Sequence, residues 1–305
     1  MMKAAFIFPG QGAQKCGMGK DFYETFVESR KVYDMSSRIL GMDVCALCFE
    51  PNEQLDITRY TQVGLLTTEI AILKAVEAKG IVPVVTAGLS LGEYAAIVAA
   101  KKMSVEDALR VIERRGLYMQ EAVPSGGAMS AIIGLDVETV RKICEETAGI
   151  VEVANDNCPG QVVISGEAEA VACAGHMLKA AGARMVTPLN VSGPFHSSML
   201  ADAGKRLRKE LDQVQWMESD IPYMSNTVAE DIRKTEDIAP LLERQVSEGV
   251  YWQEDIRKML DMGVDTFIEM GPGKTLAGFL KRIDRKAKCL SIETVDDLNK
   301  LDLCK

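Results

Sequence analysis

The chain has 305 residues, 47% of them hydrophobic and 26% charged, with a formal net charge of −9. Such a chain can bury a proper core, as one large domain with an insertion or as two domains. The acidic balance excludes a surface given over to nucleic acid or membrane, so an anionic partner would need a local basic patch.

From Met1 to Phe8 there is a single lysine and too short an apolar run for a signal peptide, and no stretch has the length to span a bilayer. A cytoplasmic protein is expected. Of the eight cysteines only Cys45 and Cys48 form a C-x-x-C, with no second pair or nearby histidine to complete a zinc site. Buried thiols in a reduced compartment are expected, and no metal.

Lys3 to Phe8 is a short apolar run stopped by Pro9-Gly10, a buried strand. The loop Pro9-Gly10-Gln11-Gly12-Ala13-Gln14 begins like a dinucleotide fingerprint, but Lys15 stands where the third glycine belongs, which weakens a Rossmann reading. Glycines on both sides of Gln11 suit either a loop facing a ligand or an ordinary turn. Helical spacing runs from Asp21 to Leu40 and more strongly from Thr61 to Lys79, with Thr61 as cap and Gly80 as terminator.

Val84 to Ala96 then passes from an apolar run through Gly88-Leu89-Ser90-Leu91-Gly92 into alanine-rich helix. A serine in a tight strand-to-helix turn between glycines is the pattern of a nucleophile elbow; the plainer alternative is a small-residue turn packing helix on sheet. A helix follows from Ser104 to Ala122, opened by Ser104 with Glu106 and Asp107 in its first turn. It carries Arg114 and Arg115, which point about 100° apart and cannot both face solvent equally, leaving one free to turn inward.

Ser125-Gly126-Gly127 marks a boundary. Beyond it the pattern is strand Ala128–Ile133, helix Val137–Thr147, strands Val151–Asn155 and Gln161–Ser165, helix Ala168–Ala181 and strand Arg184–Val191. That βαββαβ order is ferredoxin-like and suits an inserted subdomain. The chain has two histidines. His176 falls within a helix of this unit and reads as an ordinary helical residue. His196 lies in the loop Ser192-Gly193-Pro194-Phe195-His196-Ser197, where the chain re-enters the larger unit, and loops at such junctions commonly hold catalytic groups.

Further on, Ile221–Val228 reads as a strand, Ile238–Glu248 and Gln253–Asp261 as helices, and Val264–Glu269 as a strand. Gly273-Lys274-Thr275 imitates a P-loop, but Ile268 occupies the position of its upstream glycine. Lys274, Lys281, Arg282, Arg285, Lys286 and Lys288 form a basic cluster, either a solvated face or a landing area for phosphate or an acidic protein.

Together, Gln11, Ser90, Arg115 and His196 make the sequence resemble the malonyl-CoA:acyl carrier protein transacylases and the related acyltransferase domains of polyketide synthases. The likeness runs from Phe8-Pro9-Gly10-Gln11-Gly12 to Gly271-Pro272-Gly273-Lys274, and includes Arg115-Gly116 with Met119-Gln120 and the stretch Asn157 to Gly166. It implies an α/β-hydrolase-like subdomain (residues 1–126 and 193–305) with a ferredoxin-like insertion (127–192). Ser90 would form an acyl-enzyme with malonyl, and His196 would move its proton. Backbone N–H groups of Gln11 and Leu91 would hold the oxyanion, and Arg115 would grip the free carboxylate with its planar fork. Met119, Asn157, Phe195 and Tyr251 would line the pocket, with Arg184, Lys274, Lys281 and Arg282 at the docking surface for CoA or carrier. The resemblance further implies a ping-pong cycle with no metal or redox cofactor; a monomer is expected, and the acidic charge and lack of a spanning stretch argue against nucleic acid and membrane as partners.

Two departures stand out. The family usually has a histidine directly before the serine, where this chain has Leu89. It often has a glutamine near Tyr251, in the segment whose carbonyl orients the catalytic histidine. Phe195 before His196 resembles the arrangement of polyketide domains that select malonyl, and so implies malonyl rather than methylmalonyl. Rival readings are an esterase or thioesterase, which would want a histidine late in the chain where none follows His196, and a non-catalytic carrier-docking protein.

Overall fold

The structure, a computed structural model, describes residues 3–191 and 193–301; Ser192, which closes the expected insertion, and the chain ends lie outside them. Two strands come first, β1 (Ala4–Phe8) and β2 (Val85–Gly88). β3 (Gly127–Ile133), β4 (Val151–Cys158), β5 (Gln161–Glu167) and β6 (Met185–Pro188) follow. Last are β7 (Tyr223–Ser225), β8 (Glu230–Ile232), β9 (Thr266–Met270) and β10 (Lys288–Ile292).

They form two sheets. The six-stranded one has the order β10-β9-β1-β2-β7-β8, and its pairs are parallel except for the β7–β8 hairpin. β1, wholly buried and apolar, lies at its centre because helices cover both faces of a parallel sheet. The four-stranded sheet, order β4-β5-β3-β6, is antiparallel throughout, the arrangement expected of a βαββαβ unit. On β5, Val162 and Ile164 pack under the helices Val137–Glu146 and Ala168–Ala180, while Val163 between them joins the larger core on the opposite face. Alternation along one strand thus gives the small sheet a covered back and a front turned to the large unit.

The two units are joined at the middle of β4, where Val250 of the large unit forms an isolated bridge beside Asn155. Val250 N–H donates to the Ala154 carbonyl at 2.8 Å, and Asp156 N–H donates to the Val250 carbonyl at 2.9 Å. No helix of the described residues is long and apolar enough to cross a membrane.

Several expected elements shift. The helix expected over Asp21–Leu40 is two, Lys20–Thr25 and Val27–Leu40, broken at Phe26 in an extended conformation (φ −112°, ψ 124°). Phe26 packs its ring on Phe22, with centroids 5.9 Å apart, so one residue resets the apolar phase that periodicity reads as continuous. Thr61 lies inside the helix Thr58–Ala78 rather than capping it; its hydroxyl donates back to Leu55 and Ile57 carbonyls. Gly80, at φ 74°, does mark its end. The strand expected over Ile221–Val228 is shorter and turns back as the β7–β8 hairpin, and the half-buried edge strand β10 had no sequence signal.

Candidate active site

Parallel pairing of β1 with β2 sets Phe8 opposite Gly88, so the loops leaving both strands run side by side. Leu89 N–H donates to the Phe8 carbonyl at 2.9 Å. The elbow needs its glycines for lack of space. A Cβ on Gly88 would run into the Gly92 carbonyl group, and one on Gly92 into the Phe8 and Pro9 carbonyl oxygens. Between them Ser90 sits at φ 56°, a left-handed conformation that costs an L-residue about 1–2 kcal/mol and lifts the hydroxyl off the turn. Asn226, just after β7, pins this turn from both sides: its Oδ1 accepts from Ser90 N–H at 2.8 Å, and its Nδ2 donates to the Gly88 carbonyl at 2.8 Å.

The Ser90 hydroxyl is 2.8 Å from His196 Nε2. On the other side of the ring, Nδ1 is 2.7 Å from the Gln245 main-chain carbonyl. A carbonyl can only accept, so Nδ1 carries the proton and Nε2 is left to accept from the serine. Burial, then the nearby Arg115 charge, pushes the His196 imidazolium down to about 4, so the ring is neutral at pH 7 and able to act as a base. His196 is itself at φ 58°.

Arg115 is the inward member of its pair, 1% exposed, while Arg114 stays at the surface beside Glu113. The helix Val105–Ala122 comes so close to Thr58–Ala78 that a Cβ on Gly116 would lie 2.8 Å from Arg59 Cα, which brings Gln62 within reach. Arg115 Nη1 donates to Gln62 Oε1 at 2.8 Å; Nη2 donates to Gln245 Oε1 at 3.0 Å and to Ser90 Oγ at 3.1 Å. Tyr94 lies against the guanidinium, 5.5 Å from centroid to Cζ. A buried cation held only by neutral acceptors remains available to an anion.

The Gln11 and Leu91 amides donate to no protein acceptor among the described residues, and Leu91 leads into the helix Gly92–Ala99. Such a pair, one on each strand's exit loop, can serve an oxyanion formed at Ser90. Gln11, Ser90, Arg115 and His196 all open onto one cavity of about 330 Å³ between the large unit and the front of the small sheet.

Of the other expected pocket residues, Met119, Asn157 and Phe195 line this cavity. Tyr251 does not: it caps the helix Trp252–Asp261, and its N–H donates to the Asn226 carbonyl at 2.9 Å. The carbonyl that holds His196 is that of Gln245, six positions before Tyr251 at the end of the helix Ile238–Gln245, and its side chain accepts from Arg115. Leu89 borders the cavity, half-buried. Arg282 is exposed and donates to Gln161 Oε1 at 2.8 Å and to the Pro159 carbonyl at 3.0 Å, tying the helix Thr275–Ile283 to the β4–β5 turn. Arg184, Lys274 and Lys281 are exposed. Gln62, Asn226 and Gln245 had no separate sequence signal, because each earns its place by a contact with a residue distant in sequence.

The chain as a whole has relatives. The acyl transferase domain model matches residues 5–298. The malonyl CoA-acyl carrier protein transacylase of Bacillus subtilis (strain 168) is 42% identical over 304 residues, covering 97% of this chain and 96% of that protein. The chain belongs to the malonyl CoA-acyl carrier protein transacylase family. A solved family member from Clostridium perfringens superposes with a TM-score of 0.96 at 42% identity, covering 99% of this chain and 96% of the other. Another family structure, a malonyl-transacylase in complex with a type II polyketide-synthase acyl-carrier protein, superposes with a TM-score of 0.96 at 38% identity over 99% and 100% of the two chains. The transacylase likeness therefore extends over both sheets and the cavity between them.

Proposed function

We propose that this chain transfers malonyl from malonyl-CoA to the phosphopantetheine thiol of an acyl carrier protein, through a malonyl ester on Ser90. The observation that carries this reading is Arg115, buried, facing no carboxylate directly, and 3.1 Å from the Ser90 hydroxyl. A neutral acyl chain would have no use for such a cation. A diacid would, because its far carboxylate can pair with the guanidinium while its thioester carbonyl meets the serine.

In the first half-reaction Ser90 Oγ attacks the thioester carbon as His196 Nε2 takes its proton, with the Gln245 carbonyl holding the ring. The Gln11 and Leu91 amides stabilise the tetrahedral oxyanion. When it collapses, the carbon–sulfur bond breaks and His196 returns the proton to the departing CoA thiolate. The second half-reaction reverses these steps with the carrier thiol as nucleophile. Every step uses groups of this chain, and no metal or cofactor is proposed. Residues 1–126 and 193–305 supply the chemistry, residues 127–192 form the facing wall, and the enzyme works as a cytoplasmic monomer. Phe195, buried at the cavity wall, favours malonyl over a branched extender.

Incubation with malonyl-CoA, with and without carrier, tests the reading by intact mass. The expected result is a malonyl adduct lost in Ser90→Ala and passed to carrier on its addition. Free malonate as the main product would make the protein a hydrolase, and no adduct on Ser90 would make it a non-catalytic docking protein.

A further inference from the structure

One buried acid close to the cavity has no part in the chemistry above. Glu93 follows the elbow in the helix Gly92–Ala99 and is 0% exposed. Its Oε2 accepts from Gln245 Nε2 at 2.6 Å and from Asn226 N–H at 3.3 Å. Both donors belong to residues that hold the site: Asn226 pins the elbow, and Gln245 orients His196 and bonds to Arg115.

A glutamine side chain has one end that accepts and one that donates, and it is symmetric in shape, so packing alone cannot choose between its two settings. Here the choice matters. With Nε2 toward Glu93 and the Ser90 carbonyl (2.8 Å), Oε1 faces Arg115; reversed, an NH₂ would confront a guanidinium that can only donate. We infer that Glu93 is a positioning residue: by accepting from Gln245 Nε2 beside the Ser90 carbonyl it secures the setting of that amide, and so holds Arg115 aligned for the substrate carboxylate. The inference rests on the malonyl-transfer reading of Arg115.

The same geometry gives a second signature. Burial raises the Glu93 carboxyl to about 8, so the neutral acid prevails at pH 7, with Oε1, which has no partner among the described residues, available for the proton. The charged or titratable groups facing it are Arg115, Tyr94 on its own helix, Tyr223 on β7, and Asp255 on the helix Trp252–Asp261. Asp255 accepts from Asn226 Nδ2 at 3.1 Å and is held well above the usual carboxylate range by burial. Ionisation of Glu93 above its pKa places a negative charge one amide away from Arg115, where it competes with the substrate carboxylate.

The test compares Glu93→Gln, which keeps an acceptor but cannot ionise, with Glu93→Leu, which removes the acceptor, against wild type, with malonyl-CoA and acetyl-CoA as acyl donors. At pH 7, Glu93→Gln should transfer malonyl within about threefold of wild type, whereas Glu93→Leu should raise the malonyl-CoA KM about tenfold and leave acetyl transfer within about threefold. From pH 7 to 9.5 the malonyl-CoA KM should rise for wild type and stay flat for Glu93→Gln. Circular dichroism and thermal melts check that both variants fold; if Glu93→Leu does not, the Glu93→Gln pH profile decides alone. Equal losses for the two acyl groups in folded Glu93→Leu, or the same rise in KM with pH for wild type and Glu93→Gln, would overturn the inference. Failure of the wild type to prefer malonyl over acetyl would instead remove the reading beneath it.

Discussion

The floor and the wall of the cavity are built on different terms. On the floor, Ser90, His196, Arg115 and Gln245 are each held by hydrogen bonds to two or more of the others or to a neighbour that touches them. The wall, from the small sheet, offers Met129 and Val163, an Asn157 whose buried Oδ1 has no partner among the described residues, and a Gln161 braced by Arg282. Bond-making needs atoms kept in one orientation, which a closed network ensures. A wall that receives an acyl arm needs shape and a few adaptable polar groups, and a looser arrangement suffices.

This contrast can be broken most severely at Ser90. Ser90→Ala should lower transfer by about 10⁴-fold or more, read by initial rate and by loss of the acyl adduct. Next is Arg115→Ala, expected to cost malonyl transfer about 3–5 kcal/mol in kcat/KM and acetyl transfer much less; equal costs would take the carboxylate clamp away from the floor. On pH, His196 must be neutral to accept the serine proton. Activity should therefore hold between about pH 5 and 8 and fall as pH descends through about 4 and the ring protonates, in a profile of kcat/KM for acetyl-CoA. On the wall, Asn157→Ala should cost about 1 kcal/mol, seen in KM more than in kcat, with the acid limb unmoved. The smallest effect belongs to Arg282→Ala: loosening of Gln161 should raise KM for malonyl-CoA and carrier alike by about 1 kcal/mol or less. Lys281→Glu, on the exposed face, should touch carrier alone. If the Asn157 change lowers kcat as far as the Arg115 change, floor and wall are not distinct.

The same division explains what could be read from the residues. The elbow was legible because its constraint is local: Gly88 and Gly92 are required by atoms within a few positions of Ser90 or on the adjacent β1. Arg115 could be reached by helix geometry, since two neighbouring arginines cannot share one face, and His196 because histidine is scarce here. Gln245 could not. Its helix is amphipathic like many others, and its worth lies in contacts to Ser90, Arg115 and His196, which only the folded chain brings together. The bracing role of Arg282 was illegible for the same reason, as its partners lie 121 and 123 positions away where β4 turns into β5. Phe26 shows the reverse failure, where a helical period continues through a residue the backbone leaves extended.

Ser90 and His196 share one more trait: both are L-residues in left-handed backbone, at φ 56° and 58°. A glycine at either place would relieve that backbone strain, yet it would also remove the hydroxyl or the imidazole on which the chemistry rests. A search for heat-resistant variants by folding yield alone would be drawn toward inactive proteins at these positions. Hardening this enzyme has to leave the elbow and the His196 loop in their strained backbone.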